Sequence, residues 1–208
     1  MPEKIAPGSD QIVRARVRAK QISNIYRQAQ VAVYVSLIIA VVIVAIFWQV
    51  ADQRILSIWL ALLGAIGLWR LIVVYKYLRS EHETDDAPIW ERYFVAGQVV
   101  VCAIWGAGPL FILPSAPPAY DYIFYCFLIG LAGGAATLYC AHRLIVLITI
   151  VLFLVPLIGL FVSIADLPHL ALALGALIFL GATIRSTRVL DQFFNNSFGL
   201  AFELEGAK

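Results

Sequence analysis

The sequence predicts an all-α, polytopic membrane protein with six transmembrane helices, and three observations carry that prediction. Of the 208 residues, 62% are hydrophobic and only 13% are charged, against about 45–50% and 25% in soluble domains. The apolar residues gather in six runs, at 31–50, 55–77, 89–113, 120–140, 144–164 and 169–189. Each is long enough to cross a hydrocarbon core of about 30 Å at 1.5 Å per residue. Fourteen of the fifteen Lys and Arg fall at the N-terminal tail, the second and fourth connections or the C-terminal tail, and only Arg54 falls on the other side. By the positive-inside rule both termini are then cytoplasmic.

Composition also excludes function classes. A net charge of +2 is too small to argue for nucleic acid. Cys102, Cys126 and Cys140 lie in apolar runs at no metal-ligand spacing and read as small core residues. The first thirty residues lack an apolar stretch before a small-residue cleavage site, so no cleavable signal peptide is expected.

Residues 1–30 predict a cytoplasmic basic amphipathic helix. Ser9 or Asp10 can cap it, and Ile12, Ala15, Ala19, Ile22, Tyr26 and Ala29 recur at helical spacing among Arg14, Arg16, Arg18, Lys20 and Arg27. Such a helix suits anionic headgroups before the chain turns into the bilayer, or simply fixes topology. Residues 31–189 form the six-helix domain. Its first, third and fifth connections are short, so adjacent spans must be antiparallel neighbours.

In the second span Arg70 is the one basic residue placed inside an apolar run. Its stem can snorkel to the cytoplasmic interface, and Glu91, at the start of the third span, is the expected counterion of an intramembrane pair. The intervening loop carries Glu81, His82, Glu83, Asp85 and Asp86 without EF-hand or zinc spacing, and no metal site is assigned. In the third span Gln98 falls near mid-membrane, where an amide needs a partner across a helix interface or lines a polar pocket. Pro109 and Pro114 should kink or end this helix. In the fourth span Gly130, Gly133 and Gly134 read as a helix-packing face for close backbone approach. His142 has no second intramembrane histidine to complete a haem site, and no cofactor is expected.

At the outer ends Trp48, Asp52, Arg54, Trp59, Trp105, Tyr120, Asp121, Tyr122, Asp166 and His169 gather, and the aromatics read as an interfacial belt or as the walls of an amphiphile-binding cleft. Gln98, Trp105, Tyr120, Asp121 and Tyr122 are the candidate ligand-binding residues, for an unknown small or amphiphilic ligand. The last span runs on past Arg185 and Arg188 with no Pro to stop it. Residues 190–208 therefore predict a cytoplasmic exit helix, in which Thr187, Leu190, Phe194, Ser197, Ala201 and Leu204 sketch a short parallel seam for a homodimer.

These residues carry a family resemblance. A basic helix ending in Ile25, Tyr26, Arg27 and Gln28, a second span with Trp59 and Trp69-Arg70, a third with Trp90 and Trp105-Gly106, a fourth with Gly130 and Gly133-Gly134, and an exit helix reaching Phe202-Glu203 resemble the N-terminal six-helix region of bacterial membrane-bound signalling proteins. There the region precedes diguanylate cyclase (GGDEF) or histidine kinase modules. The resemblance implies a multi-pass protein of the bacterial inner membrane that senses a signal and passes it down the last helix to cyclic-di-GMP synthesis or phosphorylation. The chain itself carries no GGDEF motif, phosphoacceptor segment or phosphate loop, and no catalytic residues can be assembled from it. A small transporter or channel, or a passive membrane anchor, are the alternative readings.

Overall fold

The computed structural model describes residues 7–79, 87–140 and 142–206, with side chains over 22–23, 25–79, 88–140 and 142–187. Six helices account for nearly all of it: α1 (Pro7–Phe47), α2 (Gln53–Arg79), α3 (Ala87–Ile112), α4 (Ala119–Leu138), α5 (Arg143–Ile164) and α6 (Leu167–Gly206). All six are long and apolar enough to cross a membrane. The protein is thus a multi-pass membrane protein, and its described part contains no strand.

The connections explain where the helices stop. Asp52 caps α2, its Oδ1 accepting from the backbone N–H groups of Arg54 at 2.8 Å and Ile55 at 3.3 Å, the usual way of satisfying a helix's first donors. Its own N–H donates to Ser115 Oγ, which ties this loop to the end of α3. Pro109 lies within α3, which continues through it to Ile112; a 3-10 turn at Leu113–Ser115 containing Pro114 then ends the segment. Ala165 closes α5 in the left-handed region at φ 60°.

Two helices are longer than any bilayer needs. α1 has 41 residues and joins the basic stretch to the first span in one piece. This corrects the expectation of a separate surface helix before a turn. The physical reason is plain, since no Gly or Pro falls between Ser9 and Phe47. α6 has 40 residues and continues well past the end of its apolar part at Thr187.

Five helices close into a ring in the order α1, α2, α3, α5, α4, with α4 returning to α1; α6 lies outside it, against α5 and, more lightly, α4. This corrects the expectation that every short connection joins packed neighbours: α5 inserts between α3 and α4, which the 3-10 turn at Leu113–Ser115 links only at their ends. Each helix shows the face its place demands. On α2 the buried residues Leu56, Trp59, Leu63, Gly67, Arg70 and Val74 repeat at three and four, one stripe of an amphipathic helix. On α5 the buried positions come in adjacent pairs, Ile145-Val146, Thr149-Ile150 and Phe153-Leu154, as befits a helix with neighbours on three sides. The remaining faces carry exposed Val31, Ile38, Ile58, Leu68, Val155 and Ile178 to the lipid.

Lipid tails are as apolar as leucine, so close packing and internal hydrogen bonds hold such a bundle together. Gly106 shows the first: a β-carbon there would overlap the Leu152 backbone carbonyl oxygen, so α3 and α5 touch backbone to backbone. The indole of Trp59 shows the second, donating to the Ile104 carbonyl at 3.0 Å while its ring meets Trp105 edge-on, centroids 4.9 Å apart. At the other end of α2, Tyr77 stacks on Tyr26 of α1, whose hydroxyl donates to the Trp90 carbonyl at 2.8 Å.

Candidate functional site

The ring encloses a cavity of about 130 Å³. Ser36 of α1, Gln98 and Trp105 of α3, Gly130 and Gly134 of α4, Thr149 of α5, Arg70 of α2 and Tyr139 at the end of α4 all line it. The periodicity of α2 brings Arg70 there, because Arg70 shares the buried stripe that carries Leu63 and Gly67. Arg70 is only 7% exposed, so its side chain runs into the bundle instead of snorkelling along it.

A chain of hydrogen bonds crosses three helices at this depth. Arg70 Nη2 donates to Gln98 Oε1 at 2.7 Å, and Gln98 Nε2 donates to Thr149 Oγ1 at 2.8 Å and, more weakly, to Cys102 Sγ at 3.3 Å. Thr149 Oγ1 in turn donates a hydrogen bond to the Ile145 carbonyl at 2.8 Å. Trp105 Nε1 donates to Ser36 Oγ at 2.9 Å. The Gln98 amide is thereby engaged at both ends, which is what a buried amide requires.

Two groups at the cavity remain chemically incomplete. The Arg70 guanidinium has a neutral amide oxygen and the face of Phe94, 5.5 Å from its centroid, as partners. Among the described residues no carboxylate reaches it. The Tyr139 hydroxyl is buried against the same guanidinium, close enough to interact with it but without a hydrogen bond of good geometry. Compared with known proteins, the chain matches no family model, no curated protein and no solved structure. What the cavity can do is therefore read from its own residues: a cation and a hydroxyl face a mostly apolar space, a combination that receives an anion. Among the described residues, no group of three or more His, Cys, Asp or Glu is placed to hold a metal ion.

A second polar cluster lies at the outer ends of α4 and α6. His169 is 3% exposed; its Nε2 meets Asp121 Oδ2 at 2.9 Å, and its Nδ1 makes a very short contact with Asp166 Oδ1. A neutral imidazole carries one N–H. Two nitrogens that each face a carboxylate therefore need a second proton, either on the ring or on one of the acids. Asp166 also accepts the His169 backbone N–H at 2.9 Å; that bond, aided by the imidazole, holds its carboxyl below the usual carboxylate range. The cluster pins the start of α4 to the start of α6.

The structure divides the residues singled out from sequence. Gln98 and Trp105 line the cavity; Trp105 is fully buried and so is not part of an outer belt. Asp121 belongs to the His169 cluster, Tyr122 lies over the His169 ring at 6.0 Å, and Tyr120 packs edge-on against Phe47. The expected Arg70–Glu91 pair is replaced: Arg70 meets Gln98, and Glu91 meets His142 Nε2 at 3.0 Å. The inward face of α2 points Arg70 away from the loop end that holds Glu91.

The glycines of α4 also change role. A methyl at Gly130 or Gly134 would meet nothing within 4 Å, so neither holds a neighbouring helix close; both border the cavity. Gly133 alone faces a neighbour, the tip of Phe179 on α6. Close approach falls to Gly106 instead. Thr149, Tyr139 and Ser36 were not anticipated. Thr149 had a signal, being the only polar residue among 144–162.

Proposed function

We propose that this chain is a non-catalytic transmembrane sensory input module, of the kind that precedes diguanylate cyclase or histidine kinase modules in the bacterial inner membrane, with both termini cytoplasmic. The single observation that carries the reading is the continuity of α6. It emerges from its apolar part at Thr187 and stays helical to Gly206, about 60 Å in all at 1.5 Å per residue. A helix that leaves the lipid unbroken transmits rotation or translation; a flexible linker would dissipate it.

The layout supports this mechanism. α6 lies outside a ring that closes without it, so a shift of α6 would repack its seam with α5 and α4 and leave the other contacts of the ring in place. Its buried positions His169, Ala173, Ala176 and Thr187 are spaced at multiples of a three-four repeat, and Leu190, Phe194, Ser197, Ala201 and Leu204 extend the same phase. The side chains of those last five lie outside the described residues. α4 is the natural lever on α6: Asp121 holds His169 at the outer end and Gly133 faces Phe179 lower down.

The test joins a diguanylate cyclase catalytic domain after Lys208 and inserts one to seven alanines, one at a time, after Arg188. Each insertion rotates the downstream part by about 100°. Output that rises and falls with the helical period is expected. Output indifferent to insertion, or declining smoothly with length, would overturn the reading.

A further inference from the structure

We propose that the cavity inside the ring is a receptor for the headgroup of a single-chain amphiphilic carboxylate, entering from the lipid between α1 and α4. The inference deepens the sensory reading and depends on it only for the consequence of binding; the binding itself stands on the cavity's own chemistry.

Two observations select the headgroup. The Arg70 guanidinium lies deep in the bundle with neutral polar partners, the Gln98 amide oxygen at 2.7 Å and the nearby Tyr139 hydroxyl, and with no carboxylate against it among the described residues. A charge in hydrocarbon is expensive to leave uncompensated, and planar guanidinium matches carboxylate in a two-point bond. Tyr139 is 2% exposed and lines the same cavity, and its hydroxyl, beside Arg70 but without a hydrogen bond of good geometry, supplies a third donor. One cation balances one negative charge; a dianion would leave a net charge in low dielectric, at a cost of several kcal/mol on the order typical of buried ions. That favours a monocarboxylate over a phosphate monoester.

The walls select the rest of the molecule. Apart from its polar floor the cavity is bounded by apolar side chains such as Val35, Val101, Leu131 and Phe153. Its border includes exposed Val35, Gly130 and Gly134, and the two glycines offer no side chain to close the gap. The opening therefore faces the lipid, where an acyl chain already lies. A soluble anion would have to cross hydrocarbon to reach it. Seating a chain between α1 and α4 presses on α4, which reaches α6 at both Asp121 and Gly133.

The experiment uses the full chain in nanodiscs and a medium-chain carboxylic acid carrying a photoreactive diazirine on its tail, with labelled peptides mapped by mass spectrometry. Labelling is expected around Val35 and Leu131, saturable, and competed by the unlabelled acid but not by its methyl ester or by acetate. Arg70→Gln should raise the concentration needed by about tenfold or more, as for loss of a charged hydrogen bond. Tyr139→Phe, which deletes a hydroxyl beside Arg70 that makes no hydrogen bond of good geometry, should fold normally and raise it a few-fold. Equal competition by the ester, competition by acetate, labelling confined to the outer lipid-facing surface, or unchanged labelling in Tyr139→Phe would each overturn the proposal. None of these outcomes bears on the alanine-insertion test, so the two readings fail separately.

Discussion

Arg70 Nη2 lies 2.7 Å from Gln98 Oε1, a cation held by an amide where a carboxylate would be expected. Gln98→Glu tests what that neutrality is for. The new carboxylate would compensate Arg70 internally, so the variant should fold at least as well in thermal unfolding while losing carboxylate labelling in the cavity. Gln98→Leu should instead remove the acceptor of Arg70, while Thr149 keeps its bond to the Ile145 carbonyl. A loss of roughly 1–3 kcal/mol is expected, the usual cost of an unsatisfied buried polar group, read as a lowered unfolding midpoint in detergent.

Gly106 and Gly134 differ in what surrounds them, although sequence treats them alike. Gly106→Ala would drive a methyl into the Leu152 carbonyl and force α3 from α5, costing about 1–3 kcal/mol or more as overpacked sites do. Gly134→Ala meets nothing and should hold the midpoint or raise it slightly, since alanine favours a helix interior over glycine. Gly134→Leu should also fold but obstruct the cavity mouth, reducing labelling. Paired thermal unfolding and labelling curves check both.

The contact between His169 and Asp121 joins α6 to α4 across 48 positions of sequence. Asp121→Ala should loosen the outer end of α6, seen as faster amide exchange over 167–176 with the exchange of α2 and α3 unaltered. His169→Phe should do the same, since a phenyl ring fills the space but bonds neither acid. Unchanged exchange in both variants would show that helix packing alone fixes α6.

Asp166 gives a pH dependence of definite sign. Its carboxyl is held below the ordinary range by the His169 N–H, so the stabilisation it contributes is complete above the unfolded carboxylate value. It is lost as pH falls through the lowered folded value. The outer end of α6 should therefore hold through mildly acidic pH and fray only in strong acid. In Asp166→Asn, which keeps a capping oxygen without the charge, that acid dependence should shrink. Amide exchange of 167–170 against pH measures it.

The six spans were legible because hydropathy and basic-residue placement report directly on the bilayer. The site was legible only where burial leaves a chemical anomaly: Gln98 stood out as an amide in hydrocarbon, and the structure places it at the cavity. Arg70 stood out too, but its partner did not, because the rotation of α2 about its own axis decides between Glu91 and Gln98. The glycines misled for a related reason. Spacing shows that a face is smooth, and only packing shows whether a neighbour, a lipid or a cavity lies against it. Tyr139 was invisible as a site residue, since a tyrosine at a helix end suits the interface equally well.

The ring of α1, α2, α3, α5 and α4 closes on itself, and α6 is attached to its outside. If the chain works as the proposed input module, the five helices serve as the stator, joined at Arg70, Gln98 and Thr149 by hydrogen bonds, and the last helix is the rotor, coupled to them through its packing on α5 and its contact at Asp121. Any bond added between α5 and α6 would then lock the two together.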